Sequence, residues 1–378
     1  MPENVLITGG AGFIGSTLAR RLVADGHRVT VLDSLVAQVH GDDPATTSPL
    51  LKSLEGIAEV RVGTVTSTDD LRAALVGATV VVHLAAETGT GQSMYEIDRY
   101  VEANIGGTAK LLNLLTNEPH TVRRIVVASS RSIYGEGAYR TESGEVVFPP
   151  HRSADAMAAG DFDVHGPDGG ELTLIPTPET ALLHPSSVYG ITKQSQEALI
   201  MTTAPAIGVE AVSLRYQNVY GPGQSLKNPY TGILSIFSTL IRQGKAINIF
   251  EDGQESRDFV FIDDVVEATY LACVTPEVSG SVMNVGSGAK TTVVDVVDAL
   301  FRAFGTSVPV TISGNYRVGD IRHNVADTTR LRDVLGFESR VGFDEGIERF
   351  VEWVLTEPLE EDGYERSLAE MASRNLLK

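Results

Sequence analysis

Short apolar runs alternate with helix-like patterns over the first part of the chain. The apolar runs predict five buried strands, at 4–8, 28–33, 60–63, 79–86 and 124–129. Between these strands, apolar residues recur at helical spacing, most clearly over 13–24 and about 97–115. Helices of this length between strands are typical of parallel βαβ units, whose crossovers are right-handed. The pattern therefore predicts an α/β fold with a doubly wound, mostly parallel Rossmann sheet.

The alternation breaks down between about residues 136 and 180, where Gly, Pro, Asp and His are frequent. We interpret this stretch as an insertion with one hairpin around 171–175. Beyond it, the patterns predict a helix at 189–203, a strand at 210–215 and helices at 233–243, 293–304 and 343–355. We therefore predict a Rossmann domain over 1–220 that carries the insertion, and a smaller C-terminal α/β region over 221–378.

Charge and composition narrow the classes of function. The 378 residues carry a formal net charge of −19. This acidity argues against nucleic acid or an anionic membrane as the partner, because phosphate backbones require clustered Lys and Arg. The single cysteine, Cys273, excludes an internal disulfide and a Cys-rich zinc site. No apolar run approaches the roughly 20 residues of a membrane span, and no basic and apolar leader precedes the first strand. These features predict a soluble, cytoplasmic protein.

A glycine-rich loop follows the first predicted strand and opens the first helix. It reads Gly-Gly-Ala-Gly-Phe-Ile-Gly from Gly9 to Gly15. Gly9 permits a tight turn, Gly12 lets the backbone approach a pyrophosphate, and Gly15 permits close packing of helix on strand. Asp33, at the end of the second strand, would bind an adenosine ribose and repel a 2′-phosphate, and Ser34 adds no cation. The loop therefore predicts NAD rather than NADP as the cofactor.

Three further residues form a candidate catalytic group. Tyr189 and Lys193 are four residues apart, which places the phenol and the ammonium on one face of a helix. The ammonium favours the phenolate, whose formation otherwise requires a pH near about 10. Ser130 follows the fifth strand, at the carboxyl edge where α/β sheets bind ligands, so its hydroxyl can bond to a substrate oxygen beside Tyr189.

Taken together, these motifs resemble the extended short-chain dehydrogenase/reductase family, whose members act on nucleotide sugars. The resemblance extends over residues 3–355 and includes the Gly-x-x-Gly-x-x-Gly spacing of the loop. It implies that Tyr189 is the acid/base, that Ser130 supplies the catalytic hydroxyl and that Lys193 binds the nicotinamide ribose. The predicted cofactor-binding residues are Gly9, Gly12, Phe13, Ile14, Gly15, Asp33, Ser34, Thr64, Val65, Leu84, Ala85, Ala86, Asn104, Ser129, Tyr189, Lys193, Tyr216, Asn218 and Val219.

The resemblance also implies a site for a nucleoside-diphosphate sugar and a homodimer formed through the helices near 97–115 and 189–203. Arg257 and Arg317 match arginines that bind the diphosphate, a role that suits bidentate guanidinium groups. Phe250 lies where the family packs the nucleotide base, although a plain core aromatic is an equal alternative. Polar residues after the fourth strand are candidates to line the sugar pocket or to cap a loop. The predicted substrate-binding residues are Glu87, Thr88, Gln92, Ser93, Ser130, Arg131, Tyr189, Asn218, Thr231, Gly232, Ile249, Phe250, Arg257 and Arg317.

Two features depart from the family pattern. Gly63-Thr64 stands where an Asp that contacts adenine usually ends the third strand, which predicts weaker adenine binding or a contact from Thr64. The spacing from Ser130 to Tyr189 is well above the usual one, and the insertion accounts for the excess. Because the insertion holds many Asp, Glu and His residues, we interpret it as a solvated, acidic lid near the sugar pocket and predict no metal site.

The residues after Ser130 narrow the reaction. Arg131 and Ser132 stand where the family's 4,6-dehydratases carry Asp-Glu, so a dehydratase is excluded for want of its acid and base. Arg131 leaves uronate substrates open, since it can pair with a carboxylate.

A C4-epimerase and a 4-ketoreductase use the same catalytic residues; Asp33 favours NAD and hence the epimerase. The resemblance is strongest to nucleotide-sugar 4-epimerases, including the group that acts on dTDP-L-rhamnose, and heptoses remain open. A non-catalytic NAD sensor is the third alternative, disfavoured because such proteins typically lose the Tyr or the Lys.

Overall fold

The computed structural model describes residues 2–226, 232–317, 319–359 and 364–378. The strands are β1 Asn4–Thr8, β2 Arg28–Asp33, β3 Glu59–Val62, β4 Val80–His83, β5 Arg124–Ser130, β6 Ala138–Thr141, β7 Val146–Val147, β8 Leu172–Ile175, β9 Glu210–Tyr216, β10 Asn218–Tyr220, β11 Ile247–Ile249, β12 Ser256–Arg257, β13 Phe259–Phe261, β14 Val282–Val285, β15 Thr291–Thr292 and β16 Val310–Ile312. The helices are α1 Phe13–Ala24, α2 Ala37–His40, α3 Pro44–Thr47, α4 Pro49–Lys52, α5 Thr68–Ala74, α6 Thr90–Ser93, α7 Ile97–Tyr100, α8 Gly107–Asn117, α9 Ala154–Ala158, α10 Val188–Ala206, α11 Ile233–Gln243, α12 Ile262–Val274, α13 Val293–Phe304, α14 Thr329–Leu335, α15 Phe343–Thr356 and α16 Tyr364–Ser373.

Seven parallel strands form the central sheet, in the order β14-β9-β5-β4-β1-β2-β3. The strand order reverses direction between β1 and β4, and such a switch point opens a crevice at the carboxyl ends of the strands. Strands β4 and β5 are buried along their whole length, as expected for a sheet covered on both faces. The predicted α/β fold with a doubly wound parallel sheet is confirmed.

Helices cover both faces of the sheet. On one face, α1 packs against α12 and buries Leu18 and Leu22. On the other face, α8 packs against α5 and α10 and buries Leu111 and Leu115. Burying a leucine side chain contributes roughly 1.5–3 kcal/mol, so these two layers supply much of the stability that fixes the crevice.

One strand of the central sheet comes from beyond residue 220. Strand β14 pairs with β9, so the C-terminal region completes the edge of the Rossmann sheet. The sequence analysis did not predict this strand, and the division at residue 220 remains a prediction. The predicted helix over 97–115 is also interrupted, because a π-helical turn over Val101–Gly106 separates α7 from α8.

The insertion is more regular than its composition predicts. Strand β6 pairs antiparallel with both β7 and β8, which gives a three-stranded sheet. Of the predicted hairpin around 171–175, a single antiparallel bridge joins Glu171 to His165, whereas β8 itself pairs with the distant β6. Tyr139 and Met157 are buried, so the insertion has a small apolar interior. More than half of its residues are exposed, which agrees with the solvated character expected from its charge.

Candidate active site

A cavity of about 1110 Å³ opens at the carboxyl ends of the central strands. Its wall joins the loops that follow β1, β2, β4 and β5 to the C-terminal region. Ligands of doubly wound sheets bind in this position, since the loops diverge there and leave a crevice.

The glycine loop forms one end of the cavity. Gly9 has φ +69°, and a Cβ at this position would lie 2.8 Å from the backbone N of Ala85. A Cβ on Gly15 would lie 2.5 Å from the Cα of Gly10, so the loop and the first turn of α1 can pack only with glycine here. Gly12 begins α1, and no side chain caps the helix. The backbone N–H groups of the first turn of α1 and the positive end of the helix dipole therefore face the cavity, where they can bind an anionic phosphate.

Asp33 lies beside this loop as a buried carboxylate. Its Oδ2 accepts a hydrogen bond from the backbone N of Ala11 at 3.0 Å, and its Oδ1 accepts one from Leu35 N at 2.9 Å. Asp33 and Ser34 both lie on the cavity wall, and no Lys or Arg adjoins them in the sequence. The helix terminus and the fixed carboxylate together fit a dinucleotide without a 2′-phosphate.

Ser130 and Tyr189 both lie on the cavity wall, and the Ser130 hydroxyl lies close enough to act on the pKa of the Tyr189 phenol. Ser187 caps α10 by accepting from Gly190 N at 3.1 Å, which places Tyr189 in the first turn of the helix. A Cβ on Gly190 would lie 2.6 Å from the Ser132 carbonyl oxygen, so only glycine lets α10 approach this segment. Local capping and packing thus bring together two residues that are far apart in the chain.

Opposing effects act on the pKa of the Tyr189 phenol. Burial raises its pKa, while the Ser130 hydrogen bond and the charge of Arg131 act in the opposite direction. Ser130 Oγ accepts hydrogen bonds from Ser132 N at 3.2 Å and from Ser132 Oγ at 3.0 Å. Its own proton is therefore available to the phenol or to a substrate oxygen.

Lys193 lies one helical turn behind Tyr189, on the buried side of α10. Burial lowers the pKa of its ammonium to about 7. Its Nζ donates to Gln196 Oε1 at 2.6 Å, and Gln196 in turn donates to Thr108 Oγ1 at 3.0 Å. The lysine is thus held in place by a buried polar network.

Three arginines face the opposite end of the cavity. Arg131 Nε donates to Asn218 Oδ1 at 2.7 Å, and burial lowers the pKa of this guanidinium to about 10. Arg257 forms an ion pair with Asp320 at 2.7 Å. The guanidinium of Arg317 lies 4.9 Å from the centre of the Phe250 ring. Cations beside an aromatic ring are suited to a diphosphate that carries a planar base.

The structure brings most of the predicted site residues to this one cavity. Those on the wall are Gly9, Gly12, Phe13, Ile14, Gly15, Asp33, Ser34, Thr64, Val65, Leu84, Ala85, Ala86, Glu87, Thr88, Ser130, Arg131, Tyr189, Asn218, Val219, Gly232, Ile249, Phe250, Arg257 and Arg317. Thr231 lies outside the described residues.

Six predicted residues lie behind the wall instead, namely Gln92, Ser93, Asn104, Ser129, Lys193 and Tyr216. Asn104 holds the loop after β4 by bonding to the backbone of Glu87, and Ser93 Oγ accepts from Tyr189 N at 3.0 Å. Gln92 is buried and donates to Glu96 at 3.2 Å. Tyr216 points to the other face of the sheet and bonds to Thr269 at 2.8 Å. The contacts of Asn104 and Ser93 support the wall, and the predicted ligand contacts of the six residues stay predictions.

The sequence analysis missed Gln217 and the C-terminal segment. Gln217 lies on the wall and is 5% exposed, and its side-chain amide has no hydrogen-bond partner among the described residues. Alternation along a strand predicts this outcome, since Tyr216 and Gln217 must point to opposite faces. Met371 and Leu376 also line the cavity, and the backbone of Lys378 pairs with that of Tyr316.

The insertion does not contribute to the cavity wall. Its residues contact that wall from behind, which corrects the prediction of a lid near the sugar pocket.

Across the parts of the chain that the structure describes, no three His, Cys, Asp or Glu side chains cluster as a metal site would require. Over the same ranges, no helix combines the length and apolar character needed to span a membrane.

Comparison with known proteins finds three informative similarities. Residues 5–154 and 164–286 match the NAD dependent epimerase/dehydratase family, and the gap falls within the insertion. A dTDP-L-rhamnose 4-epimerase of Burkholderia thailandensis is 36% identical, over 94% of this chain and 96% of its own length. A Bacillus cereus UDP-glucuronic acid 4-epimerase, solved with UDP-glucuronic acid and NAD, superposes with a TM-score of 0.76 at 26% identity, covering 93% of this chain and 99% of the other.

Proposed function

Because the chain belongs to the NAD dependent epimerase/dehydratase family, we propose that it is an NAD-dependent C4-epimerase of a nucleoside-diphosphate sugar. The sugar is a deoxyhexose, a hexose or a heptose. One observation carries the proposal: the Ser130–Tyr189 pair lies between a dinucleotide loop at one end of the cavity and Arg257, Arg317 and Phe250 at the other. A sugar whose diphosphate is held by the arginines would therefore reach the phenol. The similarity to a dTDP-L-rhamnose 4-epimerase supports this reaction.

The cofactor site consists of the glycine loop, the N-terminus of α1 and Asp33. The loop would hold the pyrophosphate, and Asp33 would hold the adenosine ribose. When bound, NAD supplies the acceptor for the hydride of C4 and the source of its return. The unpartnered amide of Gln217 lies on the same cavity wall and is free to bond to the cofactor or the sugar.

Tyr189 moves the proton in this mechanism. Its phenolate oxygen takes the proton of the C4 hydroxyl as the C4–H bond breaks, which leaves a 4-keto sugar. Ser130 keeps its proton and donates a hydrogen bond to the C4 oxygen, which holds that oxygen beside the phenol. After the sugar turns, Tyr189 returns the proton to the C4 oxygen while C4 regains its hydride on the opposite face. Atoms and electrons balance, and no net oxidation occurs.

Lys193 and Arg131 provide the charge that this proton transfer requires. Burial alone would keep the phenol of Tyr189 protonated at neutral pH, because the phenolate is the charged form. The guanidinium of Arg131 favours the phenolate. We propose the same role for an ammonium at Lys193, which lies one helical turn from Tyr189. Arg131 also orients Asn218, which the resemblance implies as a substrate contact.

The reaction is tested by incubating the protein with nucleotide sugars in deuterated water, without added cofactor, and recording proton NMR spectra. The panel contains dTDP-L-rhamnose, UDP-hexoses, UDP-glucuronate and an ADP-heptose. We expect a C4 epimer that carries no deuterium on carbon, because the hydride returns within the site. Deuterium at C3 or C5 would instead indicate enolisation and contradict the proposal. Product that forms only with a reduced nicotinamide and a 4-keto sugar would indicate a ketoreductase.

Asp33→Asn is expected to weaken NAD binding about tenfold and to raise the affinity for NADP relative to NAD. The amide loses the charge that repels a 2′-phosphate, and it can no longer accept from both Ala11 N and Leu35 N. A hydrogen bond to a charged group contributes about 1.5–3 kcal/mol, so the loss of one such bond weakens NAD binding by about tenfold or more. Calorimetric Kd values for both dinucleotides measure it. Asp43→Asn, an exposed acid, is the control; an unchanged NADP/NAD ratio would be evidence against the role of Asp33.

The homodimer and the cytoplasmic location belong to the same proposal. Ile97, Val101 and Ile191 are about half-exposed on the helices through which the resemblance implies dimerisation. Such an apolar surface supports an interface between two copies.

A further inference from the structure

A single arginine of the insertion connects it to the cavity wall. Arg152 has a side chain that is 3% exposed. Its Nη1 and Nη2 donate to the two carboxylate oxygens of Glu251 at 2.7 and 2.8 Å. Nη2 also donates to the Asp320 carbonyl oxygen at 3.0 Å, and Nε lies 3.4 Å from Glu136. Bidentate pairing of this kind fixes the direction of both partners, which a flexible ammonium cannot do.

The residues that Arg152 holds adjoin the candidate nucleotide site. Glu251 has φ +49°, a conformation that costs free energy in a residue with a side chain. It directly follows Phe250, the ring beside which Arg317 lies. Asp320, whose backbone Arg152 also bonds, pairs with Arg257 through its carboxylate. The insertion thus supports the base-binding ring and both diphosphate arginines from behind.

We propose that Arg152 is a positioning residue for the nucleotide end of the substrate site, so that the insertion is an integral part of nucleotide recognition. The inference rests on the proposed function. Arg152 contacts no cavity surface itself and acts through Glu251 and Asp320. Without these two hydrogen bonds from Arg152, the Glu251 carboxylate keeps the longer one from Arg322 Nη1, at 3.4 Å, so the hold on the strained backbone beside Phe250 is weakened. Arg152 and Glu251 both lie within the ranges matched by the family, 5–154 and 164–286, and residues 155–163 of the insertion lie outside them.

Arg152→Met tests the inference in the full-length protein. Calorimetry gives the Kd for UDP, dTDP and ADP, and a separate titration gives the Kd for NAD. We expect the Kd of the preferred nucleoside diphosphate to rise about tenfold or more, since small displacements of binding groups have effects of this size. The Kd for NAD should stay within about twofold, and KM should rise while kcat changes little. Arg140→Met is the matched control, because Arg140 lies in the same insertion and is exposed.

Each alternative result has a defined meaning. An unchanged nucleotide Kd in Arg152→Met would overturn the inference, and so would a parallel loss of NAD binding in a folded protein. If this variant does not fold, Arg152→Met/Glu251→Gln also removes the charge of the buried carboxylate, which then has only Arg322 as its partner. A wild-type nucleotide Kd in the double variant would overturn the inference equally. Wild-type protein that binds none of the three nucleotides would overturn the proposed function as well, which separates that failure from a failure of Arg152 alone.

Discussion

Tyr189→Phe is expected to lower kcat about 10³-fold while leaving NAD binding almost unchanged. General acid–base groups contribute about 10²–10⁴-fold to enzymatic rates, and phenylalanine has no hydroxyl with which to carry the proton of the C4 hydroxyl. The ring still fills the same space, so the wall of the cavity should be preserved. Turnover of the sugar identified by NMR measures kcat, and calorimetry measures the NAD affinity.

The control for this variant removes a tyrosine hydroxyl elsewhere. Tyr270 on α12 is hydrogen-bonded to Asp25 and does not line the cavity. Tyr270→Phe should therefore keep full activity. If Tyr189→Phe retained more than about a tenth of the wild-type rate, acid–base catalysis by this phenol would be refuted. A loss of activity accompanied by loss of NAD would indicate a structural defect instead.

Lys193→Met is expected to stabilise the nucleotide-free protein by about 2 kcal/mol and to lower kcat about 10²-fold. Burial lowers the pKa of Lys193 from its ordinary value of 10.5 to about 7. This gap corresponds to at most about 5 kcal/mol of unfavourable free energy in the folded state. Loss of the donor to Gln196 Oε1 offsets about 1–3 kcal/mol of that gain. The activity falls because no ammonium remains to favour the phenolate.

The pH dependence of this effect has a definite sign. The folded protein holds the Lys193 proton less tightly than the unfolded chain does, so wild-type stability attributable to this group rises as pH increases from about 7 to about 10.5. The difference in free energy of unfolding between Lys193→Met and the wild type should therefore be largest at pH 7 and become smaller towards pH 10. Urea unfolding of both proteins at the two pH values measures the difference. Lys290→Met, at an exposed position, is the control; a pH-independent difference would contradict the low pKa.

The local elements of the fold could be predicted from the sequence. The predicted bounds are correct for β1, α1 and β2. In each of them apolar residues recur at the spacing of a strand or a helix, and a glycine or an acidic residue marks an end. The partners of strands could not be predicted in the same way. Strand β8 pairs with β6 across the insertion, and the period of a strand does not say which strand lies beside it.

The candidate site could be predicted as a set of loops, but the direction of individual side chains could not. Tyr216 and Gln217 illustrate the difference. Both residues belong to the family motif, but neighbouring residues at the end of β9 point to opposite faces, and only Gln217 lines the cavity. Lys193, Asn104 and Ser93 likewise lie one contact behind the wall. The support from Arg152 required tertiary structure, since Arg152 and Glu251 are far apart in the chain.

The origin of the sheet's last strand has a consequence for synthesis of the protein. Until α12 has left the ribosome, α1 lacks its cover, and until β14 follows, β9 is an edge strand with unpaired backbone groups. Exposed edges of this kind recruit strands from other chains, and nascent proteins are vulnerable to such aggregation. A fragment that ends at residue 220 is thus poorly suited to independent expression. Protein intended for binding studies is best produced as the whole chain.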